Sequence, residues 1–116
     1  MLSSAAVLLL DLQVDFLDAT QGKMPVDPEG AHRVIAAANA VLSGSALEGA
    51  LPVLIVNRFP TTAKVANFFR RGAALDGSPG AKLDPRVHAE SSVPVFPKAQ
   101  ANAFTNPDLE PFLREH

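Results

Sequence analysis

Three short apolar runs recur along the chain, and each is followed closely by polar residues. They are Ala5–Leu10, Val53–Val56 and Val93–Phe96. Continuous apolar runs of this length are typical of strands buried on both faces, as in parallel sheets. The third run contains Pro94, and a proline inside a strand indicates either an edge strand or a strand that pairs poorly on one side. The runs therefore predict a parallel sheet whose third strand lies at an edge or pairs poorly on one side.

Helical spacing of apolar residues follows the first strand. The sequence Asp27-Pro28-Glu29 supplies a capping residue, a proline suited to the first helical position and an acid that complements the helix dipole. One apolar face is predicted from Val34, Ile35, Ala38, Val41 and Leu42. The helix ends at 43–45 or continues to Gly49. Strand, helix and strand form a βαβ unit with parallel strands and a right-handed crossover.

The rest of the chain holds shorter elements. Residues 61–75 predict a short helix whose apolar side is Val65, Phe68 and Phe69, and Asp84-Pro85 opens a helical turn that runs to about Glu90. A last helix is predicted over 107–114, with Leu109, Phe112 and Leu113 facing inward. Residues 18–29 predict an exposed loop, because they contain Gly22, Pro25 and Pro28 and few apolar residues.

Composition places the chain among globular proteins with one domain, residues 1–116. Hydrophobic residues make up 47% and charged residues 19% of the sequence. The net charge is -2 and no basic run occurs, so nucleic acid and anionic membranes are poor partner candidates. No stretch approaches the roughly 20 apolar residues of a membrane span. We expect a cytoplasmic protein.

The residues at the strand ends are the candidates for chemistry. Ligands of open α/β sheets bind beyond the carboxyl ends of the strands, and three parallel strands would bring Asp11, Arg58 and Lys98 to one rim. A carboxylate at Asp11 can accept a proton, and an ammonium at Lys98 can stabilise the resulting anion. The alternative is structural: Asp11 is then a loop residue or helix cap, Lys98 is solvated, and Arg58 ties down a loop.

Other residue types add little chemistry. Phe16 is predicted to be core or pocket wall. The three histidines, His32, His88 and His116, are scattered, and no set of residues has metal-ligand spacing. No metal and no cofactor are predicted.

Four segments together resemble the isochorismatase-like cysteine hydrolases. They are LLLDLQVDFL (Leu8–Leu17), PVLIVNRF (Pro52–Phe59), SPGAKLDPRV (Ser78–Val87) and FPKAQANAF (Phe96–Phe104). Their order and spacing match that superfamily, which includes nicotinamidases, N-carbamoylsarcosine amidases, ureidoacrylate amidohydrolases and isochorismatases. The resemblance implies a three-layer α/β/α, Rossmann-like fold with a parallel sheet of about six strands.

The resemblance also implies roles for two residues. The superfamily uses an Asp-Lys-Cys triad, and Asp11 and Lys98 match the Asp after strand 1 and the Lys after strand 3. Asp11 is then expected to take the proton of the thiol, and Lys98 to help hold the thiolate. The Cys attacks a carbonyl carbon in the amidases. Phe16 and Arg58 are expected to contact the substrate.

The sequence departs from the superfamily in two respects. It contains no cysteine, and the superfamily's nucleophile follows a fourth strand that is expected just beyond His116. The Asp-x-His metal pattern of the nicotinamidases is replaced by Asn57-Arg58-Phe59-Pro60. We therefore expect about three of six strands, an N-terminal part of the fold, and no metal-dependent nicotinamidase activity.

Three hypotheses follow. The first is the N-terminal part of a hydrolase that carries two of three triad residues and is inactive as this isolated chain. The second is a non-catalytic small-molecule-binding or assembly module on the same scaffold. The third is an unrelated doubly wound domain, although no glycine-rich phosphate loop follows strand 1. An open edge at strand 1 predicts a homo-oligomer or another association through that edge.

Overall fold

A parallel three-stranded sheet forms the centre of the protein in a computed structural model that describes residues 5–116. The strands are β1 (Ala6–Leu10), β2 (Leu51–Asn57) and β3 (Val95–Lys98), in the order β1-β2-β3. Leu10 lies opposite Ile55, and Lys98 lies opposite Asn57. The carboxyl ends of all three strands therefore meet at one edge of the sheet.

Helices cover both faces of this sheet. They are α1 (Val14–Leu17), α2 (Pro28–Leu42), α3 (Lys64–Phe69) and α4 (Leu109–Glu115), with short 3-10 turns at Pro79–Ala81 and Ala103–Thr105. One core cluster joins Leu54 of β2 to Ile35 and Ala38 of α2. A second joins Ile55 of β2 to Leu109 of α4. Alternating side chains of β2 thus pack against helices on opposite faces of the sheet, which confirms the three-layer α/β/α architecture.

The predicted strands are present with changed ends. Strand 1 is confirmed, whereas β2 extends beyond Val53–Val56 at both ends. The third strand was predicted over Val93–Phe96 and lies two residues later. Its pairing explains the shift. Leu54 N–H donates to the carbonyl of Pro94 and Arg58 N–H to that of Lys98, so alternation turns the backbone of Pro97 outward. A proline is tolerated there because β3 is an edge strand, as predicted.

The long helix α2 begins as the sequence indicates. The side chain of Asp27 accepts a hydrogen bond from Gly30 N–H at 3.0 Å, and Pro28 occupies the first helical position. The helix ends at Leu42, the earlier of the two predicted ends. Its predicted face is wrong at Val34, which is 45% exposed. The buried stripe instead passes through Ala31, Ile35 and Ala38, which leaves Val34 on its flank.

The orientation predicted for the helix in residues 61–75 is wrong. Val65, Phe68 and Phe69 of α3 are 75%, 78% and 76% exposed. Asn67 is the buried residue of this helix, and its side-chain amide donates to the carbonyl of Pro60 at 2.9 Å. This hydrogen bond attaches the polar side of α3 to the protein, so the aromatic side faces outward.

Two smaller predictions differ in their boundaries or type. The segment from Asp84 forms a turn closed by the Val87 N–H donating to the Asp84 carbonyl at 2.9 Å, and not a helix. The last helix starts at Leu109 and not at position 107. Leu109 is fully buried, and Phe112 and Leu113 pack against the same cluster, so its inward face is confirmed.

The outer edge of β1 has no neighbouring strand within the described part of the chain. Leu51 N–H donates to the carbonyl of Ala5, and Asp11 N–H donates to that of Ile55. By alternation, the backbone groups of Ala6, Leu8 and Leu10 point away from β2. No helix within residues 5–116 is long and apolar enough to cross a lipid bilayer.

Candidate active site

Asp11 and Lys98 meet at the carboxyl edge of the sheet. The Lys98 Nζ lies 3.4 Å from Asp11 Oδ1, although β2 separates the two strands that carry them. The Lys98 side chain is 4% exposed, whereas that of Asp11 is 43% exposed. The ammonium is therefore buried beneath the carboxylate, and the carboxylate is open to a ligand.

Asn57, the last residue of β2, joins these two charged groups. Its amide nitrogen donates to Asp11 Oδ1 at 2.7 Å, and its Oδ1 accepts from Lys98 Nζ at 2.7 Å. The residue is 3% exposed. A primary amide is suited to this position, because it offers a donor to the anion and an acceptor to the cation. The three side chains form one hydrogen-bonded cluster.

Gln13 holds Asn57 through its backbone. Asn57 N–H donates to Gln13 Oε1 at 2.8 Å, and Gln13 Nε2 donates to the carbonyl oxygens of Asn57 and Ala81, both at 2.7 Å. Gln13 is fully buried. It replaces the strand partner that the end of β2 lacks on this side, so it fixes the position from which Asn57 reaches Asp11 and Lys98.

A cavity of about 460 Å³ opens above this cluster. Phe16, Met24 and Phe59 contribute its apolar wall, together with Arg70 and residues 99–101. The Arg70 guanidinium lies 3.6 Å from the centre of the Phe59 ring. The cavity therefore combines one accessible carboxylate, one buried cation and aromatic walls, which suits a small ligand with a flat body. Phe16 lies where a substrate contact was predicted.

Arg58 occupies the predicted rim but is not part of this cavity. It follows Asn57 directly, and its side chain lines a separate depression together with Asp76 and Lys82. Successive side chains along a strand point to opposite faces, which separates Arg58 from Asn57. The sheet brings together Asp11 and Lys98 with Phe16, and it leaves Arg58 apart.

Asp15 is a buried acid that organises the loops around the cavity. It is 1% exposed and accepts hydrogen bonds from Ala74 N–H at 2.7 Å and Lys23 N–H at 3.2 Å. Its carboxylate also fills the place that a Cβ at Gly80 would need. The loops that contain Met24 and Arg70 are thereby held beside the site.

A second buried acid stabilises the segment below α1. Asp84 is 1% exposed and forms an ion pair of 2.9 Å with Arg86, whose other hydrogen bond reaches the carbonyl of Leu17. Hydrogen bonds from Arg86 lower the pKa of the Asp84 carboxyl despite the opposing effect of burial. The same pairing raises the pKa of Arg86.

Asn57 and Gln13 belong to the hydrogen-bonded cluster but were not predicted from the sequence. A signal for Asn57 was present: it ends an apolar strand with the side-chain parity of Val53 and Ile55, and so faces the same side of the sheet. Gln13 carries no such signal, because its two partners are backbone groups 44 and 68 residues away.

The family model described as Isochorismatase domain matches residues 5–116.

The chain belongs to the isochorismatase family.

Solved structures share the fold of this chain. The isochorismatase-like hydrolase from Alkaliphilus metalliredigens superposes with a TM-score of 0.78 at 19% identity, over 96% of this chain and 60% of that one. An isochorismatase family protein from Desulfovibrio vulgaris superposes with a TM-score of 0.75 at 21% identity, over 97% of this chain and 62% of that one. The pyrazinamidase of Pyrococcus horikoshii, solved in complex with zinc, superposes with a TM-score of 0.74 at 26% identity. The match covers 97% of this chain and 64% of that one. No curated protein sequence matches the chain.

This isochorismatase-family chain spans about three fifths of the length of those proteins. Its site does not suit a zinc ion. Among residues 5–116, Asp11 is the one acidic residue that lines the cavity and no histidine lines it, and the Lys98 ammonium already lies beside Asp11. Within residues 5–116, no group of three His, Cys, Asp or Glu side chains is placed to hold a metal ion.

Proposed function

We propose that Asp11, Asn57 and Lys98 are the proton-accepting part of a hydrolase site that cleaves an amide or related C–N bond. The observation that supports it is the hydrogen-bonded cluster itself, in which an accessible carboxylate is held by a buried amide and a buried ammonium. A carboxylate without this support would rotate freely. Here it is fixed toward the cavity, as a general base must be.

The chemistry assigns a step to each residue. Asp11 accepts a proton from the nucleophile, which then attacks the carbonyl carbon of the substrate. Lys98 stabilises the negative charge that develops beside Asp11, and Asn57 keeps both groups in place. The departing amine takes this proton from Asp11, and water then attacks the acyl carbon, which releases the carboxylic acid and restores the proton to the nucleophile. Family membership supports this reaction class, since the structural neighbours include hydrolases.

The nucleophile is the missing component in this proposal. The family resemblance assigns it to a cysteine, and the 116-residue sequence contains none. We therefore expect the isolated chain to bind a small amide but not to hydrolyse it through a thiol. The aromatic wall of Phe16 and Phe59 suits a planar amide, and pyrazinamide is a reasonable probe because one structural neighbour is a pyrazinamidase.

A titration followed by NMR tests this proposal. Pyrazinamide added to the 116-residue chain should shift the amide signals of Asp11, Asn57 and Ala99 in a saturable manner, and ammonia release should stay at background. The variant Asp11→Asn should weaken binding severalfold. Gln21→Ala is a matched control, because Gln21 is exposed and lies outside the cavity.

Two results would contradict it. Turnover that disappears in Asp11→Asn would disprove the expected inactivity of the isolated chain. The absence of saturable shifts at the cluster would disprove amide binding.

A non-catalytic binding module is the second candidate. The preformed cavity beside a sequence without cysteine supports it. Its discriminating test is the reaction itself: a cysteine-containing segment from a structural neighbour, mixed with this chain, should restore hydrolysis under the first proposal and not under the second.

A further inference from the structure

A second cationic depression lies on the opposite side of β2 from Asp11. Arg58 and Lys82 each line two adjoining cavities, of about 250 Å³ and about 300 Å³. Within the described residues, neither side chain makes a hydrogen bond or ion pair. Two exposed cations share this concave surface with one carboxylate, that of Asp76, so the formal charge of the lining is +1 and the local potential is positive.

The two cavities differ in chemical character. The larger is walled by Leu54, Val56, Leu83 and Val95, which are aliphatic side chains of the sheet and the crossing segment. The smaller holds Asp76 and Ser78. The Oγ of Ser78 is buried and has no hydrogen-bond partner among the described residues, which is unusual for a native hydroxyl. An apolar wall, two cations, one carboxylate and a buried unpaired hydroxyl thus occur side by side.

We propose that this depression binds a small organic monoanion, a carboxylate attached to an apolar body. The apolar body would lie against Leu54 and Val95, and the carboxylate would lie between Arg58 and Lys82. A guanidinium and an ammonium are the natural partners of a carboxylate. Asp76 on the polar side disfavours a more highly charged anion such as phosphate.

This site is independent of the proposed hydrolase site. Asn57 faces Asp11 and Lys98, whereas Arg58 is the next residue and faces the other side of the sheet. The depression of Arg58 and Lys82 and the cavity beside Asp11 have no lining residue in common. Loss of binding at either site is therefore expected to leave the other unchanged.

The test is an NMR titration of the 116-residue chain with benzoate, benzamide, acetate and inorganic phosphate. Benzoate should shift the amide signals of Arg58, Ser78 and Lys82 in a saturable manner. Benzamide has the same shape without the charge, acetate has the charge without the ring, and phosphate has neither the ring nor a carboxylate. Judged by the signals of Arg58, Ser78 and Lys82, all three should bind at least tenfold more weakly; benzamide that binds at the cavity of Asp11 would shift the signals of Asp11 and Asn57 instead.

Variants separate specific binding from general charge effects. Arg58→Met and Lys82→Met should each weaken benzoate binding about tenfold or more, and both residues are exposed, so the fold should tolerate the changes. Lys64→Met removes the same charge from an exposed site outside the depression and should leave binding unchanged. Asp11→Asn should also leave it unchanged.

Three results would overturn the proposal. They are the absence of saturable benzoate shifts at Arg58, Ser78 and Lys82; equally strong saturable shifts of these three signals by benzamide or phosphate; and benzoate shifts of the Ser78 signal that survive in the double variant Arg58→Met/Lys82→Met.

Discussion

Asn57 is the residue on which the arrangement of the two charged side chains depends. It lies between Asp11 and Lys98 and hydrogen-bonds both. We predict that Asn57→Ala lowers the free energy of unfolding by about 1–3 kcal/mol, because the buried Lys98 ammonium loses its acceptor. Urea denaturation measures this change. The control Gln21→Ala should change the free energy of unfolding by less than about 0.5 kcal/mol. A change of that small size in Asn57→Ala would contradict the role of Asn57 in holding Lys98.

Asp84 is expected to make stability depend on pH. The hydrogen bonds from Arg86 lower its pKa in the folded protein. Its stabilising contribution is therefore fully present above the unfolded pKa of about 3.9, and it is lost as the pH falls through the lower folded value. We predict that Asp84→Asn costs about 1–3 kcal/mol at pH 7 and that the difference from the parent chain narrows below about pH 4.

Urea denaturation between pH 7 and pH 3 measures this difference. Asp18→Asn is the comparison without an ion pair, because the pKa of this half-buried carboxyl is lowered chiefly by backbone hydrogen bonds from Gln21 and Thr20. An asparagine side chain can still accept those bonds. If Asp84→Asn lowered the free energy of unfolding by the same amount at every pH between 7 and 3, the ion pair with Arg86 would not be the source of the stabilisation.

Helix α3 shows how a polar contact overrides an apolar pattern at the scale of one element. Its aromatic residues face outward, and Asn67 attaches it to Pro60. We predict that Phe68→Ser and Phe69→Ser each change the free energy of unfolding by less than about 0.5 kcal/mol. Asn67→Ala should cost about 1–3 kcal/mol, because the carbonyl of Pro60 loses its donor.

Thermal unfolding of the three variants distinguishes this arrangement from the one that the sequence pattern suggests. If the aromatic face were buried, removal of either phenylalanine would cost about 3–5 kcal/mol, and Asn67→Ala would cost little.

The strands and α2 were predictable because their signals are local. The run Ala5–Leu10 and the cap at Asp27 need no knowledge of distant residues. The βαβ rule then placed Asp11 and Lys98 on one edge, and the structure puts them 3.4 Å apart. Val34 and α3 were misjudged because spacing shows which residues share a face, but not which face the rest of the chain covers.

The part of the site that sequence reasoning did not supply depends on contacts between distant segments. Gln13 bonds the backbone of Asn57 and Ala81, and Asp15 bonds that of Ala74. Backbone partners leave no residue type to recognise. Arg58 was grouped with Asp11 because both follow strands, and only side-chain parity along β2 separates them.

At the scale of the whole molecule, the described sheet has two edges without a neighbouring strand, one at β1 and one at β3. The edge of β1 is the longer of the two. Backbone groups of Ala6, Leu8 and Leu10 point outward there, and Leu10 is 44% exposed. Such an edge pairs readily with another strand. We predict that the isolated chain self-associates through β1 and that Ala6→Lys, which places a charge on the exposed edge, reduces this association.

Sedimentation velocity over a range of protein concentrations measures the effect. Ala101→Lys is the matched control, because Ala101 is exposed and lies away from the strand. A chain that stays monomeric at every concentration, or an equal effect of both lysines, would contradict a role for the β1 edge.

The backbone of Asp11 limits which residues can replace it in evolution. Its φ angle is 65°, in the left-handed region that side chains with a Cβ rarely adopt. Asparagine and aspartate tolerate this conformation better than other residues, apart from glycine. Substitutions of Asp11 by asparagine or glycine are therefore expected to be tolerated best. Both require one nucleotide change from an aspartate codon. A lineage in which asparagine replaces Asp11 is expected to keep the loop and lose only the charge.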